Sequence, residues 1–198
     1  PDDQVGLGLL DGVLLNSFSD LAKDKQVKFE IRKRRLECTM LIQSEKKSAG
    51  IKVAEETFAR AIKYDLVDVV LDMSRQLELH YSTVQLSKTK RKKYTAASDK
   101  YLKAFNEEYQ AQQLWSELGY KVQKKESIDG IPEKLAALKT IKANNRHYRF
   151  NFFYYITTNL YARYRKDDAL IIETCREAFD FFSQSDVVLP YMTAWSFK

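Results

Sequence analysis

The chain is poor in helix-breaking residues and in residues that do chemistry. Six Gly and three Pro in 198 residues leave few turn signals, and strand-like alternation between such turns is scarce. Cys38 and Cys175 stand far apart inside helical patterns with no CxxC spacing, which argues against a disulfide framework or a zinc site and suits packing thiols in a reducing, cytoplasmic setting. His80 and His147 are the only histidines, and neither has a second ligand at i+3 or i+4. No GxGxxG, phosphate loop, GxSxG or HExxH occurs, so nothing points to an enzyme, a cofactor or a metal. Asp65, Asp68 and Asp72 share a helical side, but carboxylates without a His partner read as a solvated face. The N-terminal run VGLGLLDGVLLNSF carries Asp11 and Asn16 and is too short to span a bilayer, so it reads as a first packed helix. The chain begins with Pro1 and ends at WSFK inside a helical pattern, as a piece of a longer protein would.

What is abundant is helix former. Apolar residues make up 44% of the chain and charged residues 30%, enough for one all-α domain with a solvated surface. The periodicity predicts helices over 5–22 and 25–43, the second turning Phe29, Leu36, Met40 and Leu41 inward. Ser48, Ala49 and Gly50 punctuate, and a helix over 51–63 follows with Phe58, Ala61 and Ile62 on its apolar side. Asp65 stands where an N-cap would open a helix over 66–84, whose inward set is Val69, Val70, Met73, Leu77 and Tyr81. The stretch QLSKTKRKK, 85–93, reads as a mobile basic loop before a long helix over 92–124 that turns Tyr94, Tyr101, Ala104, Phe105, Leu114, Trp115 and Leu118 inward. Pro132 opens a helix running to Tyr164 with a joint near Asn144. Asp167 or Asp168 caps the next, to 183, and Pro190 begins a last one.

Comparison of the helices with one another reveals a recurrent pattern: Phe58-x-x-Ala61-Ile62, Tyr101-x-x-Ala104-Phe105 and Cys175-x-x-Ala178-Phe179. Partner helices carry Leu77-x-x-x-Tyr81 and Leu160-x-x-x-Tyr164, with Leu36-x-x-x-Met40 as a weaker copy. A small Ala lets two helices approach closely, so Ala61, Ala104 and Ala178 are expected at crossings. Over residues 30–184 these features make the chain similar to tetratricopeptide-repeat-like α-solenoids. The resemblance implies an irregular, right-handed stack of antiparallel helix pairs that binds proteins or peptides. Its long 92–124 helix, the 85–93 loop and the lack of repeat-closing Pro depart from that family's pattern.

The stretch YRFNFFYYITTNLYARYR, 148–165, concentrates eight of the chain's 12 Tyr and 11 Phe. On a helical wheel Phe150, Phe153, Tyr154, Tyr161 and Tyr164 form one face, and Tyr148, Phe152 and Tyr155 a second nearly opposite. Ile156 and Leu160 fill one gap; Asn151, Thr158 and Ala162 fill the other. Two apolar faces call for two packing neighbours, with a Tyr-lined ligand groove as the rival reading. In a solenoid the first helix of each pair lines the groove, so the candidate partner-binding residues are Arg75, His80, Asn151, Tyr155, Thr158 and Asn159, taken as lying off the packing stripes.

Net charge is +6, concentrated in a basic patch that includes Arg32, Lys33, Arg35, Lys88, Lys90, Arg91, Lys92 and Lys93. Such clusters solvate a surface, meet an acidic protein or neutralise nucleic-acid phosphates, although no RNA- or DNA-reading signature accompanies them. The sequence therefore points to a non-enzymatic protein- or peptide-binding helical-repeat scaffold, the interaction or sensing part of a larger regulator. A basic RNA- or DNA-binding helical module is the alternative.

Overall fold

A computed structural model describes residues 23–44 and 46–184, and these contain seven helices and no strand. They are α1 (Lys23–Gln43), α2 (Lys47–Lys63), α3 (Val67–Thr83), α4 (Lys88–Lys124), α5 (Ile131–Lys142), α6 (Tyr148–Arg165) and α7 (Asp168–Ser183). The helices expected over 5–22 and after Pro190 lie outside the described residues.

Three of the described helices end without the glycine that usually marks such a stop. Asp65, Lys125 and Lys166 adopt left-handed backbone at φ 51°, 56° and 55°. Each closes a helix in the same way: the following amide reaches five residues back, Leu66 N to Ala61 O, Glu126 N to Lys121 O and Asp167 N to Ala162 O, at 2.9 Å in all three. Carbonyls that the last turn leaves unpaired are thereby satisfied. Asp167 then accepts from Leu170 N and caps α7, as the sequence suggested.

Asp65 was expected to cap α3 and does not. Its positive φ makes it the residue that ends α2, and its carboxylate is turned toward α6 instead. Two further expectations change at neighbouring joints. Residues 88–93 are helix, not loop, because Ser87 accepts from Lys90 N and starts α4 four residues early. Ser48, Ala49 and Gly50 lie inside α2, where Gly50 serves packing: a Cβ there would stand 2.8 Å from Ile42 N and 3.0 Å from the Leu41 carbonyl carbon. Gly50→Ala should therefore lower the melting temperature, against the gain of about 1 kcal/mol that Ala usually brings to a helix interior. A raised melting temperature would show that the α1–α2 contact can open at no cost.

Two cores share one long helix. The first joins α1, α2, α3 and the start of α4 through Ile31, Cys38, Ala54, Phe58, Ala61, Met73, Leu77 and Tyr94. The second joins the rest of α4 to α5, α6 and α7 through Leu114, Leu118, Ile131, Phe150, Tyr154, Ala178 and Phe182. Ala61, Ala104 and Ala178 are all buried, as the recurrent pattern required. The large residues beside them are not: Ile62, Phe105 and Phe179 are exposed, as is Tyr164 of the partner pattern.

The inward face of α1 is also revised. Ile31 and Cys38 are buried, with Val27 and Ile42 packed against them, whereas Leu36 and Met40 are 59% and 72% exposed and Phe29 is half-exposed. The reason is a second neighbour. Arg32, Arg35 and Thr39 face α3, where Arg32 meets Asp68 at 3.3 Å, Arg35 meets Asp72 at 3.5 Å and Thr39 accepts from Gln76 at 3.2 Å. With one side given to α2 and the next to α3, the Leu36–Met40 side is left outside.

Candidate binding surface

Around α3, Asp68, Asp72 and Gln76 face α1, while Ser74 and Glu78 face α4, bonding Ser98 and Thr95. At about 100° per residue, Arg75 and Leu79 fall between those two contact lines and look outward. They border a hollow of about 510 Å³ lined by Asp72, Arg75, Gln76, Glu78, Leu79 and Ser82. Leu36 and Met40 on α1 and Leu102 on α4 are also exposed. A separate hollow of about 430 Å³ lies on α4, lined by Asp99, Leu102, Lys103, Asn106, Glu107 and Gln110 together with Ile141 of α5. Arg75 is exposed and takes part in no ion pair among the described residues. Its two carboxylate neighbours are already engaged, Asp72 by Arg35 and Glu78 by Thr95 and Ser98.

The structure separates the six candidate partner-binding residues. Arg75 lies on this outer face, and His80 is half-buried with its ring edge-on to Tyr81 at 5.0 Å. The four on α6 are buried, which corrects their placement off the packing stripes. Asn151 donates to the carbonyls of Asn145 and His147 at 3.0 and 2.9 Å, tying down the turn before its own helix. Thr158 bonds Tyr154 O, and Asn159 donates to Cys175 Sγ and accepts from Arg163. Tyr155 packs between Phe181 and Phe182 of α7, with the Lys142 ammonium 5.2 Å from its ring centre. Because α4 and α7 hold α6 from two sides, the polar gap on its wheel is a satisfied interior seam and the helix lines no groove.

The basic patch is likewise divided. Arg32 and Arg35 are spent on the α1–α3 seam, and Lys90 bonds Glu55 at 3.0 Å and Tyr81 Oη at 2.9 Å. Glu55 also accepts from Tyr81 and Tyr94 at 3.0 Å each. Burial works to raise the Glu55 pKa, but the bonds from Lys90, Tyr81 and Tyr94 outweigh it and hold it below its ordinary value. Lys93 rests 5.1 Å from the Tyr94 ring centre. Lys33, Lys88, Arg91 and Lys92 remain exposed to solvent.

Where the two cores meet, charges are drawn inside. Asp65 bonds His147 Nδ1 and Tyr148 N, both at 2.6 Å. Nearby Glu108 is buried and meets Arg149 at 3.1 Å. Its pKa is raised, chiefly by burial and further by the charges of Asp68 and Asp65, with Arg149 and His147 opposing. Between the usual Glu value of about 4.3 and the higher folded value, the folded state holds the extra proton, so stability contributed here falls as pH rises through that window. Glu108→Gln should therefore improve relative to the parent in urea titrations as the pH is raised from about 4.3 to about 7. An unchanged difference would mean that Arg149 fully compensates the buried charge.

No group of three or more His, Cys, Asp or Glu among the described residues could hold a metal, and no helix there is long and apolar enough to cross a membrane. No protein-family model, curated protein or solved structure matches the chain.

Proposed function

We propose that this protein is a non-enzymatic, cytoplasmic helical-repeat scaffold that holds a peptide or protein partner across the outer face of α1, α3 and the first half of α4. What carries this is the register of the helices. The α1–α3 contacts link residues 36 and 37 apart, Lys90 of α4 meets Glu55 of α2 across 35, and Lys142 of α5 meets Glu177 of α7 across 35. Helices one hairpin apart thus lie side by side, as in a right-handed tetratricopeptide-repeat-like solenoid in which α4 serves two successive pairs. In such a stack one layer of helices lines the concave face. Here the layer of α1 and α3 presents an uncommitted guanidinium with exposed Leu79 beside it and Leu36 and Met40 exposed on α1, a combination suited to an apolar segment bearing a carboxylate. A basic nucleic-acid module draws less support, because Arg32, Arg35 and Lys90 are engaged within the fold.

The test is site-specific photo-crosslinking in cells from position 79, with position 166 on the far turn as control. A partner captured from position 79 alone, and reduced at least tenfold, about 1.4 kcal/mol, by Arg75→Glu, supports the proposal. Equal capture from both positions, or capture indifferent to Arg75→Glu, rejects it. Asn151 is unsuitable for this test, since its amide holds the α6 turn.

A further inference from the structure

A second surface lies at one end of the helix stack, just past Ser82 at the end of the hollow on α3. Because α1 and α3 run in the same direction, the α1–α2 and α3–α4 connections emerge together. The α3–α4 connection exposes two aliphatic side chains, Val84 at 65% and Leu86 at 79%. Its backbone is tied down: Gln85 N bonds His80 O, Ser87 N bonds Tyr81 O, each at 3.1 Å, and the Ser87 hydroxyl accepts from Lys90 N. The two side chains are therefore presented by a fixed turn, where burying them inward would have been the ordinary outcome.

Cations surround this tip. Lys88, Arg91 and Lys92 on the first turns of α4, and Lys46 and Lys47 at the neighbouring connection, are exposed and make no ion pair among the described residues. Of the acidic residues close by, Glu55 is engaged by Lys90, Tyr81 and Tyr94, and Glu56 faces solvent; Glu45 lies outside the described residues. A duplex or an RNA strand would match the cations but leave Leu86 and Val84 in water. An anionic lipid surface accommodates both, since phosphates attract the cations while the acyl boundary receives the aliphatic tip.

We propose that this end of the stack docks peripherally on anionic bilayers, with Val84 and Leu86 entering the headgroup region and Lys88, Arg91, Lys92, Lys46 and Lys47 meeting lipid phosphates. The energetic division is unequal. Two small aliphatic side chains anchor weakly by themselves, so binding depends on negative lipid and is released by salt.

Sedimentation of the full chain with vesicles tests this. Binding to phosphatidylcholine vesicles doped with phosphatidylserine, release at high salt and no binding to phosphatidylcholine alone are expected. Lys88→Glu with Lys92→Glu should abolish binding, and Val84→Ser with Leu86→Ser should weaken it by about tenfold. All four positions are exposed, so thermal melting should be unchanged, which separates lost docking from lost fold. No binding to the serine-lipid vesicles, or serine variants that bind as well as the parent, overturns the proposal. So does retention of duplex DNA or RNA more tightly than vesicles and independently of Leu86, which would assign the cations to nucleic acid.

Discussion

Phe150→Ala is expected to cost about 3–5 kcal/mol of unfolding free energy, read as a shift of the urea midpoint. Phe150 is 0% exposed and lies against Tyr154, with ring centres 6.5 Å apart and planes 10° from parallel. It belongs to the core that joins α4 to α5, α6 and α7, so truncation leaves a void walled by several helices that cannot all close on it. Tyr164→Ala, on the same helix and the same predicted face, should cost less than about 1 kcal/mol, because that ring is 45% exposed at the last turn. Equal costs at the two positions would mean that α6 is gripped along its whole length. A small cost at both would mean that the second core is loosely packed.

Asp65→Ala should cost about 3 kcal/mol, the sum of two separate losses. The left-handed backbone at φ 51° suits Asp and Asn better than Ala, and the carboxylate is the group that receives the first amide of α6. Tyr148 N begins that helix, and no side chain of its own N-cap residue, His147, bonds the helix end. Asp65 thus closes α2 with its backbone and caps α6 with its side chain, joining the first core to the second. Asp65→Asn keeps the backbone preference and an acceptor oxygen, and should lose roughly 1 kcal/mol. If Asn proves as costly as Ala, the charge opposite His147, not the amide bond to Tyr148, dominates.

The amino-acid sequence by itself determined that the described residues form helices, that Ala61, Ala104 and Ala178 are buried, and that an acidic residue at 167 opens α7. These are local properties. Periodicity reports which residues share a side, a small residue marks where backbones can meet, and a cap bonds within its own turn. Tertiary structure decided everything that depends on which neighbour covers which side. On α1 two adjacent sides are taken, the apolar one by α2 and the arginine-bearing one by α3, so Leu36 and Met40, apolar and correctly spaced, are left outside. On α6 the opposite occurred: Asn151 and Thr158 look like a solvent-facing strip, yet each bonds a backbone carbonyl within or just before its own helix and can be buried without loss. Arg75 alone of the six candidate contacts stands on the outer face with its charge uncommitted, because the carboxylates beside it were claimed by partners on α1 and α4 that lie far away in the chain.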